Sequence, residues 1–293
     1  MNIKSCMLKK QTTPRIEMNA PRKLVALGIL CTAILVGLTM KPRTTIFTCT
    51  TFFDFEKQDK WKAFCRAMDS ILEHHRPETL QRINKWVIVN EYSPNPKRDW
   101  TQAVKERYPF VEVIQKGPTE KGQAASMNII LQRIKGYTYW IHWEETWYCR
   151  RPCLDRMFDV MDSTQISQLQ VTQHKEMPNW LDSDKHPRVL KQTSNAIQYY
   201  QIYPAKGTEQ IIQRPITDYS NECVGLWPLY SLLPSINRVS HNQVGEFTTD
   251  PKFWPFIFEW DYGRRWLQAG NTKAVLPDGP VVRDNSAHTS TYS

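Results

Sequence analysis

Hydrophobic residues follow two alternating patterns in the first half of the chain. The run TTIFTCTTFF, residues 44–53, is dense in β-branched and aromatic residues and predicts a buried strand. In the next segment, apolar residues recur at spacings of three and four, as expected of an amphipathic helix. These residues are Trp61, Phe64, Met68, Ile71 and Leu72.

The alternation of strand and helix patterns continues through the next eighty residues or so. The runs KWVIVNEYSPNP, PFVEVIQKG and GYTYWIHWEETW begin as strands, and GQAASMNIILQRI predicts a helix between the last two. Strands and helices that alternate at these lengths favour parallel βαβ units. We therefore expect an α/β, Rossmann-like fold with a mostly parallel sheet flanked by helices.

The second half has a less regular pattern. Residues 195–216 predict a β-ribbon, and residues 227–247 predict an aromatic loop followed by a short helix. Residues 253–276 predict an aromatic loop, a helix and a strand, with Gly270 and Asn271 ending the helix.

One uncharged segment stands apart near the N-terminus. Residues 24–40 are seventeen residues without a charge, near the lower limit of roughly 17–25 residues for a membrane-spanning helix. The basic tail before it, residues 1–23, predicts a cytosolic N-terminus. The expected layout is a single-pass type II anchor followed by a domain at 41–293 facing the ER or Golgi lumen. A cleaved signal peptide and a buried core helix are the alternatives.

Composition and charge exclude two classes of protein, disordered proteins and nucleic-acid-binding proteins. Hydrophobic residues are 41% and charged residues 23%, as in folded proteins. The net charge is +9, but residues 1–23 carry +5 of it, and the remaining +4 is spread over 270 residues. We therefore expect no nucleic-acid partner. Cys149 and Cys153 lie four apart, but no further Cys/His pair completes a zinc site.

The conspicuous acidic residues follow predicted strands. Glu91 ends the second strand, and Glu144 and Glu145 end the fourth. Open sheets of this kind bind ligands beyond the carboxyl ends of their strands. The acidic residues therefore lie where this architecture places its ligand.

Four features in this order resemble family 2 glycosyltransferases of the GT-A fold. They are an acid after strand two, G-x-x-x-x-x-N opening a helix, an acid cluster after strand four, and E-x-D before an R…A-G helix. They fall on Glu91, Gly122–Asn128, Glu144–Glu145 and Glu259–Asp261. The resemblance covers about residues 44–290 and implies inverting transfer from a nucleotide-diphosphate sugar, a UDP- or GDP-sugar, to a glycan or other hydroxyl.

The resemblance implies a donor site in the first half, at about 44–162. VIVNEYS is similar to the family's V-N-D-G-S, so Glu91 would hold the base or ribose. Gly122 and Asn128 match G-x-A-x-A-x-N and would shape the nucleotide site. A solvated loop acid and simple helix packing are the alternatives for these residues.

The resemblance also implies a divalent cation, Mn²⁺ or Mg²⁺. HWEETW falls where the family has D-x-D, whose hard oxygen ligands bridge a cation to the diphosphate. Glu144 and Glu145 would bind the donor, with Glu145 as the metal ligand, while Thr146 replaces the third acid. His288 resembles the family's late metal-binding histidine. Two solvated carboxylates beside core tryptophans are the alternative.

The acceptor half, at about 163–293, would carry the base. Glu259 lies eleven residues before Gly270, the position of the family's catalytic Asp, and Asp261 is the alternative base. Arg264 and Arg265 would reach a donor phosphate or pair with these acids. The same half also contains aromatic residues whose flat rings suit the faces of sugars and would contact the acceptor: Trp227, Trp254 and Trp260.

Two other functional classes remain open from the sequence. The departures from the family motifs allow a catalytically inactive relative that binds glycans or acts as a scaffold. A nucleotidyltransferase would need a Gly/Arg-rich phosphate loop near the start of the domain, which TTFFDFEKQDK does not provide.

Overall fold

A computed structural model describes residues 43–56, 59–172, 186–214, 227–250 and 257–284.

Three predictions fall outside these residues. They concern the anchor at 24–40, Trp254 and His288. Within the described ranges, no helix combines the length and hydrophobicity needed to cross a bilayer.

Nine strands of the described chain form one sheet, in the order β3-β2-β1-β4-β9-β6-β10-β8-β7. Two further strands, β5 and β11, form a small antiparallel sheet. The strands are β1 (Thr45–Thr51), β2 (Ile83–Asn90), β3 (Val111–Gln115), β4 (Tyr139–Glu144), β5 (Trp147–Cys149), β6 (Gln168–Gln170), β7 (Arg188–Gln192), β8 (Gln198–Ile202), β9 (Ser235–Arg238), β10 (Lys273–Val275) and β11 (Val281–Arg283).

The predicted α/β fold with a mostly parallel sheet is confirmed. β8 and β9 run opposite to the other seven strands of the large sheet. β1 is buried along its whole length, as expected of a central strand covered on both faces.

Helices cover the two faces of this sheet. The helices are α1 (Lys60–His74), α2 (Pro77–Leu80), α3 (Trp100–Arg107), α4 (Gln123–Arg133), α5 (Leu154–Ser163), α6 (Thr208–Ile211) and α7 (Ile257–Gln268). Asp59 caps the start of α1 by accepting a hydrogen bond from Lys62 N, and Asp99 caps α3 in the same way.

Successive strand residues point to opposite faces and build two cores. Phe47 of β1 packs with residues of α1 and α5, whereas Ile46 packs with residues of α4 and α7. Along β4, Ile141 belongs to the first core and Trp140 to the second. The sheet therefore holds α4 and α7 on the same side.

Two predictions in the second half are corrected. The ribbon predicted at 195–216 is wrong in its second strand, because β8 pairs with β7 and β10 while Thr208–Ile211 is helical. The prediction for 227–247 missed the strand β9, and the short helix after it is a 3₁₀ helix at Val239–Asn242. The predicted end of α7 is confirmed, since Gly270 has φ +78°.

Candidate active site

The acidic residues of the first half meet at one edge of the sheet. β1 pairs in parallel with β2 on one side and with β4 on the other, so Glu91, just after β2, and Glu144, the last residue of β4, flank the carboxyl end of β1. The N-terminus of α4 lies against both, because Gly122 N donates to Glu91 and Gln123 Nε2 donates to Glu144. The edge therefore brings the two acidic stretches to a single helix terminus.

Glu91 is buried, and both of its oxygens accept hydrogen bonds. Oε2 accepts from Lys116 Nζ at 2.8 Å and Gly122 N at 3.1 Å, and Oε1 accepts from Tyr92 N at 3.0 Å. Lys116 is buried too, and its Nζ donates to the Gly122 carbonyl and Ser126 Oγ. Burial lowers the pKa of Lys116, and Glu91 opposes that change. This ion pair fixes the start of α4.

Gly122 and Asn128 also shape this region. Gly122 has φ +87°, a conformation that favours glycine. Asn128 exchanges two hydrogen bonds with the Phe247 backbone, at 2.9 Å and 2.7 Å, and so ties α4 to a loop of the second half. Contact of either residue with a donor stays a prediction.

The Glu144 carboxylate, at the end of β4, accepts hydrogen bonds from two side chains. Its oxygens accept from Gln123 Nε2 at 2.9 Å and from Trp147 Nε1 at 3.2 Å. Burial raises the pKa of Glu144 to about 7, and the charge of Glu145 adds to the increase. A carboxyl group with this pKa changes protonation near neutral pH.

Glu145 faces a different cation from the one expected. Lys60 Nζ, at the buried start of α1, lies 3.0 Å from Glu145 Oε1. The same ammonium lies 5.5 Å from the centre of the Phe55 ring. The carbonyl of the next residue, Thr146, accepts a hydrogen bond from Asp284 N. Lys60 therefore already compensates part of the acidic charge at this edge.

Glu259 lies in the first turn of the acceptor-half helix α7. Its Oε1 accepts from Leu232 N at 2.8 Å. Burial raises the pKa of Glu259 to about 7, Glu144 raises it further, and Lys273 opposes the increase. Glu144 and Glu259, 115 positions apart in the chain, are therefore close enough to interact electrostatically.

Asp261 is occupied by two arginines. Arg264 Nη2 donates to Oδ1 at 2.9 Å, and Arg265 donates to Oδ2 through Nε at 3.1 Å and Nη2 at 2.9 Å. Arg265 also donates to the carbonyls of Val244 and Glu246. Of the two candidate bases, Glu259 is the one whose carboxylate is not held by arginine. Donor-phosphate contacts for the arginines stay predictions.

Trp227 and Trp260 are fully buried in the second core. Trp227 Nε1 donates to the Tyr230 carbonyl at 2.6 Å. Neither ring presents a free face to a sugar, so both fit the alternative of core packing. Their predicted acceptor contact has no support in this arrangement.

The sequence reasoning missed three buried lysines: Lys60, Lys116 and Lys273. Each lies near one of the acidic groups, at Glu145, Glu91 and Glu259 respectively. Burial lowers the pKa of Lys273 to about 7, while Glu259 opposes that change. The sequence signal for these lysines is that each lies at the beginning or end of an apolar run. Because lysines at such positions are usually exposed, this signal does not predict their burial.

A group of three buried metal-ligand types lies elsewhere, at His75, Cys149 and Cys153. His75 Nε2 accepts from the backbone N–H groups of Cys153 and Leu154 at 2.8 and 3.1 Å, and Nδ1 bonds the Ile71 carbonyl. The lone pair that a metal would need is therefore engaged in capping α5. The sequence analysis paired the two cysteines with no further ligand, whereas the fold places His75 beside them.

A separate cleft of about 940 Å³ opens between α1 and β5. Arg66 stacks over the Tyr148 ring at 3.7 Å there and pairs with Asp284 at 2.9 Å. Its lining does not include Glu91, Glu144 or Glu259. The cleft is therefore separate from these three acids.

Comparisons with known proteins bear on the fold. The sequence matches no protein-family model and no curated protein. The structure resembles that of GalNAc-T7 with UDP, GalNAc and Mn²⁺, with 12% identity and a TM-score of 0.51 over 83% of this chain and 44% of that one. It also resembles S. aureus TarS 1–349, with 15% identity and a TM-score of 0.50 over 82% of this chain and 60% of that one. A third similar structure is that of S. aureus TarS, with 14% identity and a TM-score of 0.51 over 82% of this chain and 36% of that one.

These neighbours are GT-A-type glycosyltransferases. At such low identity the likeness establishes the fold alone, and the chain has the GT-A fold. The chain spans less than two thirds of the length of each neighbour.

Proposed function

We propose that this protein is an inverting glycosyltransferase that moves a sugar from a nucleotide-diphosphate donor to a hydroxyl group of a glycan. The observation that carries the proposal is the placement of acids from both halves of the domain. Glu91 and Glu144 lie at the carboxyl ends of β2 and β4, where α/β folds bind ligands, and Glu259 of α7 interacts electrostatically with Glu144. The pKa values of Glu144 and Glu259 are both raised to about 7.

Glu259 is the proposed general base. Inversion requires a group that takes the proton of the acceptor hydroxyl as its oxygen attacks the anomeric carbon. A carboxylate with a pKa of about 7 is a stronger base than an ordinary one and is still largely ionised slightly above neutral pH. The hydrogen bond from Leu232 N to Oε1 orients the carboxylate.

The acidic pair at the end of β4 fits a divalent cation. Mg²⁺ and Mn²⁺ are commonly held by one or two carboxylates together with substrate phosphates. Glu145 raises the pKa of Glu144, so the pair carries repulsion that a cation would relieve. A cation held by Glu144 and Glu145 would supply charge stabilisation for the departing diphosphate. The crystal of GalNAc-T7 with Mn²⁺ supports testing manganese first.

The proposal also includes the class of donor and the location of the domain. A UDP- or GDP-sugar fits the sequence resemblance, and GalNAc-T7 was crystallised with UDP. The uncharged segment at 24–40 supports a type II membrane anchor with the domain in the ER or Golgi lumen.

The test is incubation with a panel of UDP-, GDP- and dTDP-sugars, with and without Mn²⁺, while released nucleoside diphosphate is measured. We expect slow hydrolysis of one donor without acceptor. Glu259→Gln should abolish transfer to an acceptor. The exposed Glu106→Gln on α3 is the matched control and should leave turnover unchanged.

Binding without turnover would favour the alternative, a glycan-binding or scaffold protein that keeps the GT-A fold. Absence of both binding and turnover across the panel would contradict the proposal.

A further inference from the structure

The loop at 227–234 connects the proposed base to the middle of the sheet. Leu232 N donates to Glu259 Oε1 at 2.8 Å. Ser231 exchanges backbone hydrogen bonds with the side chain of Gln168 on β6, at 2.8 and 3.2 Å. Lys273 Nζ, at the start of β10, donates to the Leu229 carbonyl at 2.8 Å. Side chains from three elements therefore fix one short loop.

The backbone of this loop is strained where Lys273 holds it. Leu229 has φ +65°, in the left-handed region that branched side chains rarely adopt. Such conformations persist where the surroundings over-determine them. The Lys273 hydrogen bond to the Leu229 carbonyl is one such constraint.

Close packing of α7 is a second constraint on the same loop. A Cβ placed on Gly263 would meet Pro228 Cγ at 2.9 Å and Tyr230 Cβ at 3.1 Å. The glycine thus lets the helix that carries Glu259 approach the loop.

Lys273 is also an electrical neighbour of Glu259. The lysine is completely buried, and its charge opposes the rise in the pKa of Glu259. Within the described residues, the other titratable groups that interact with Glu259 are Glu144, from β4, and Tyr230, from the loop. Among these neighbours, Lys273 is the one that can carry positive charge.

We propose that Lys273 is a positioning residue for Glu259. Its hydrogen bond to Leu229 holds the loop that orients the carboxylate, and its charge favours the ionised form of that carboxylate. The inference rests on the proposed function, in which Glu259 is the general base.

Two variants separate the two actions of Lys273. Lys273→Met removes both the charge and the hydrogen bond, whereas Lys273→Gln removes the charge and keeps a donor for the Leu229 carbonyl. Lys105→Met, at an exposed position on α3, is the matched control. Thermal unfolding of each variant shows that the protein assayed is folded.

The first readout needs no enzymatic activity. Infrared difference spectra between each protein and its Glu259→Gln counterpart isolate the protonated Glu259 carboxyl, and a pH titration gives its midpoint. We expect a higher midpoint in both Lys273 variants than in the wild type and the control. An unchanged midpoint in a folded variant would overturn the electrostatic part, whether or not transfer is observed.

The second readout is the pH dependence of kcat with the preferred donor. On the acidic side, turnover should fall about tenfold for each unit by which the Glu259 pKa rises. KM for the donor should not change. At high pH, where Glu259 is ionised in every variant, Lys273→Gln should be faster than Lys273→Met. Wild-type kcat in both variants at high pH would overturn the loop-holding part. If Lys273→Met does not fold, Lys273→Gln alone tests the electrostatic part.

Discussion

Two glutamate–lysine pairs, one in each half of the domain, use the same charges differently. Glu91 and Lys116 are in contact at 2.8 Å, and the remaining hydrogen bonds of both go to the backbone and Ser126. Glu259 and Lys273 interact only at longer range, and Lys273 donates instead to the Leu229 carbonyl. The first pair fixes the start of α4, while the second leaves the Glu259 carboxylate without a direct cationic partner among the described residues.

The difference teaches how burial can serve either stability or chemistry. Charges in contact compensate the cost of leaving water, and removal of one partner exposes that cost. Charges held apart leave part of the cost uncompensated, which shifts their pKa values towards neutrality. The raised pKa of Glu259 and the lowered pKa of Lys273, both about 7, are that signature.

The largest expected effect is on turnover at Glu259. Glu259→Gln removes the proposed base and should lower kcat by about 10²–10⁴-fold, the usual contribution of general base catalysis. Affinity for the free nucleoside diphosphate, measured by calorimetry, should be retained. Asp261→Asn should mainly lower stability, because its carboxylate holds Arg264 and Arg265. Loss of turnover in Asp261→Asn with unchanged turnover in Glu259→Gln would move the base to Asp261.

The next effect is on stability at Glu91. Lys116→Met leaves a buried carboxylate without its cation and should lower the free energy of unfolding by about 3–5 kcal/mol, as measured by urea denaturation. The double variant Glu91→Gln with Lys116→Met should recover part of the loss. Equal losses in the single and double variants would show that the pair is not coupled.

A smaller effect is the pH dependence of stability that Glu259 confers. The pKa of Glu259 is raised on folding, so the folded state binds more protons between about pH 4.5 and 7, and stability is lost as pH rises through that window. At pH 8, Glu259→Gln should therefore have a larger free energy of unfolding than the wild type, by about 1–3 kcal/mol as measured by urea denaturation. The advantage should shrink towards pH 5. A difference that is the same at both pH values would contradict the raised pKa.

The smallest expected effect concerns Lys60, which pairs with Glu145 and would compete with the proposed cation for that carboxylate. Lys60→Met should tighten the apparent affinity for Mn²⁺ by about tenfold, or roughly 1.4 kcal/mol. The measurement is a manganese titration of donor hydrolysis, with the exposed Lys62→Met as control. Weaker manganese binding in Lys60→Met would show that Lys60 supports the site instead.

The first half of the fold could be predicted because its signals are local. β1 to β4 are runs of five to eight residues rich in apolar and β-branched side chains, and α1 has a clear helical periodicity. The shorter helices α2 and α3 were not predicted. β6 and β10 have only three residues each, and β8 pairs with strands on both sides. Elements this short depend on the sheet around them, so their patterns were not informative.

The site could be predicted only in part for a similar reason. The resemblance to family 2 glycosyltransferases implied Glu259, which lies eleven residues before Gly270, and strand ends singled out Glu91 and Glu144. Their partners come from distant positions, as Lys273 and the loop at 227–234 illustrate, and a single sequence carries no signal for such contacts. Glu259 and Asp261, near the start of α7, are equally plausible bases in the sequence. The structure distinguishes them, because Arg264 and Arg265 hold the Asp261 carboxylate.

The most direct test is a crystal structure of the protein soaked with UDP and Mn²⁺, with manganese located from its anomalous scattering. The proposed function predicts a manganese peak beside Glu145, the diphosphate in contact with it, and Glu259 facing the open side of the same site. A nucleotide seated away from Glu144 and Glu259, or manganese bound instead at His75, Cys149 and Cys153, would contradict it.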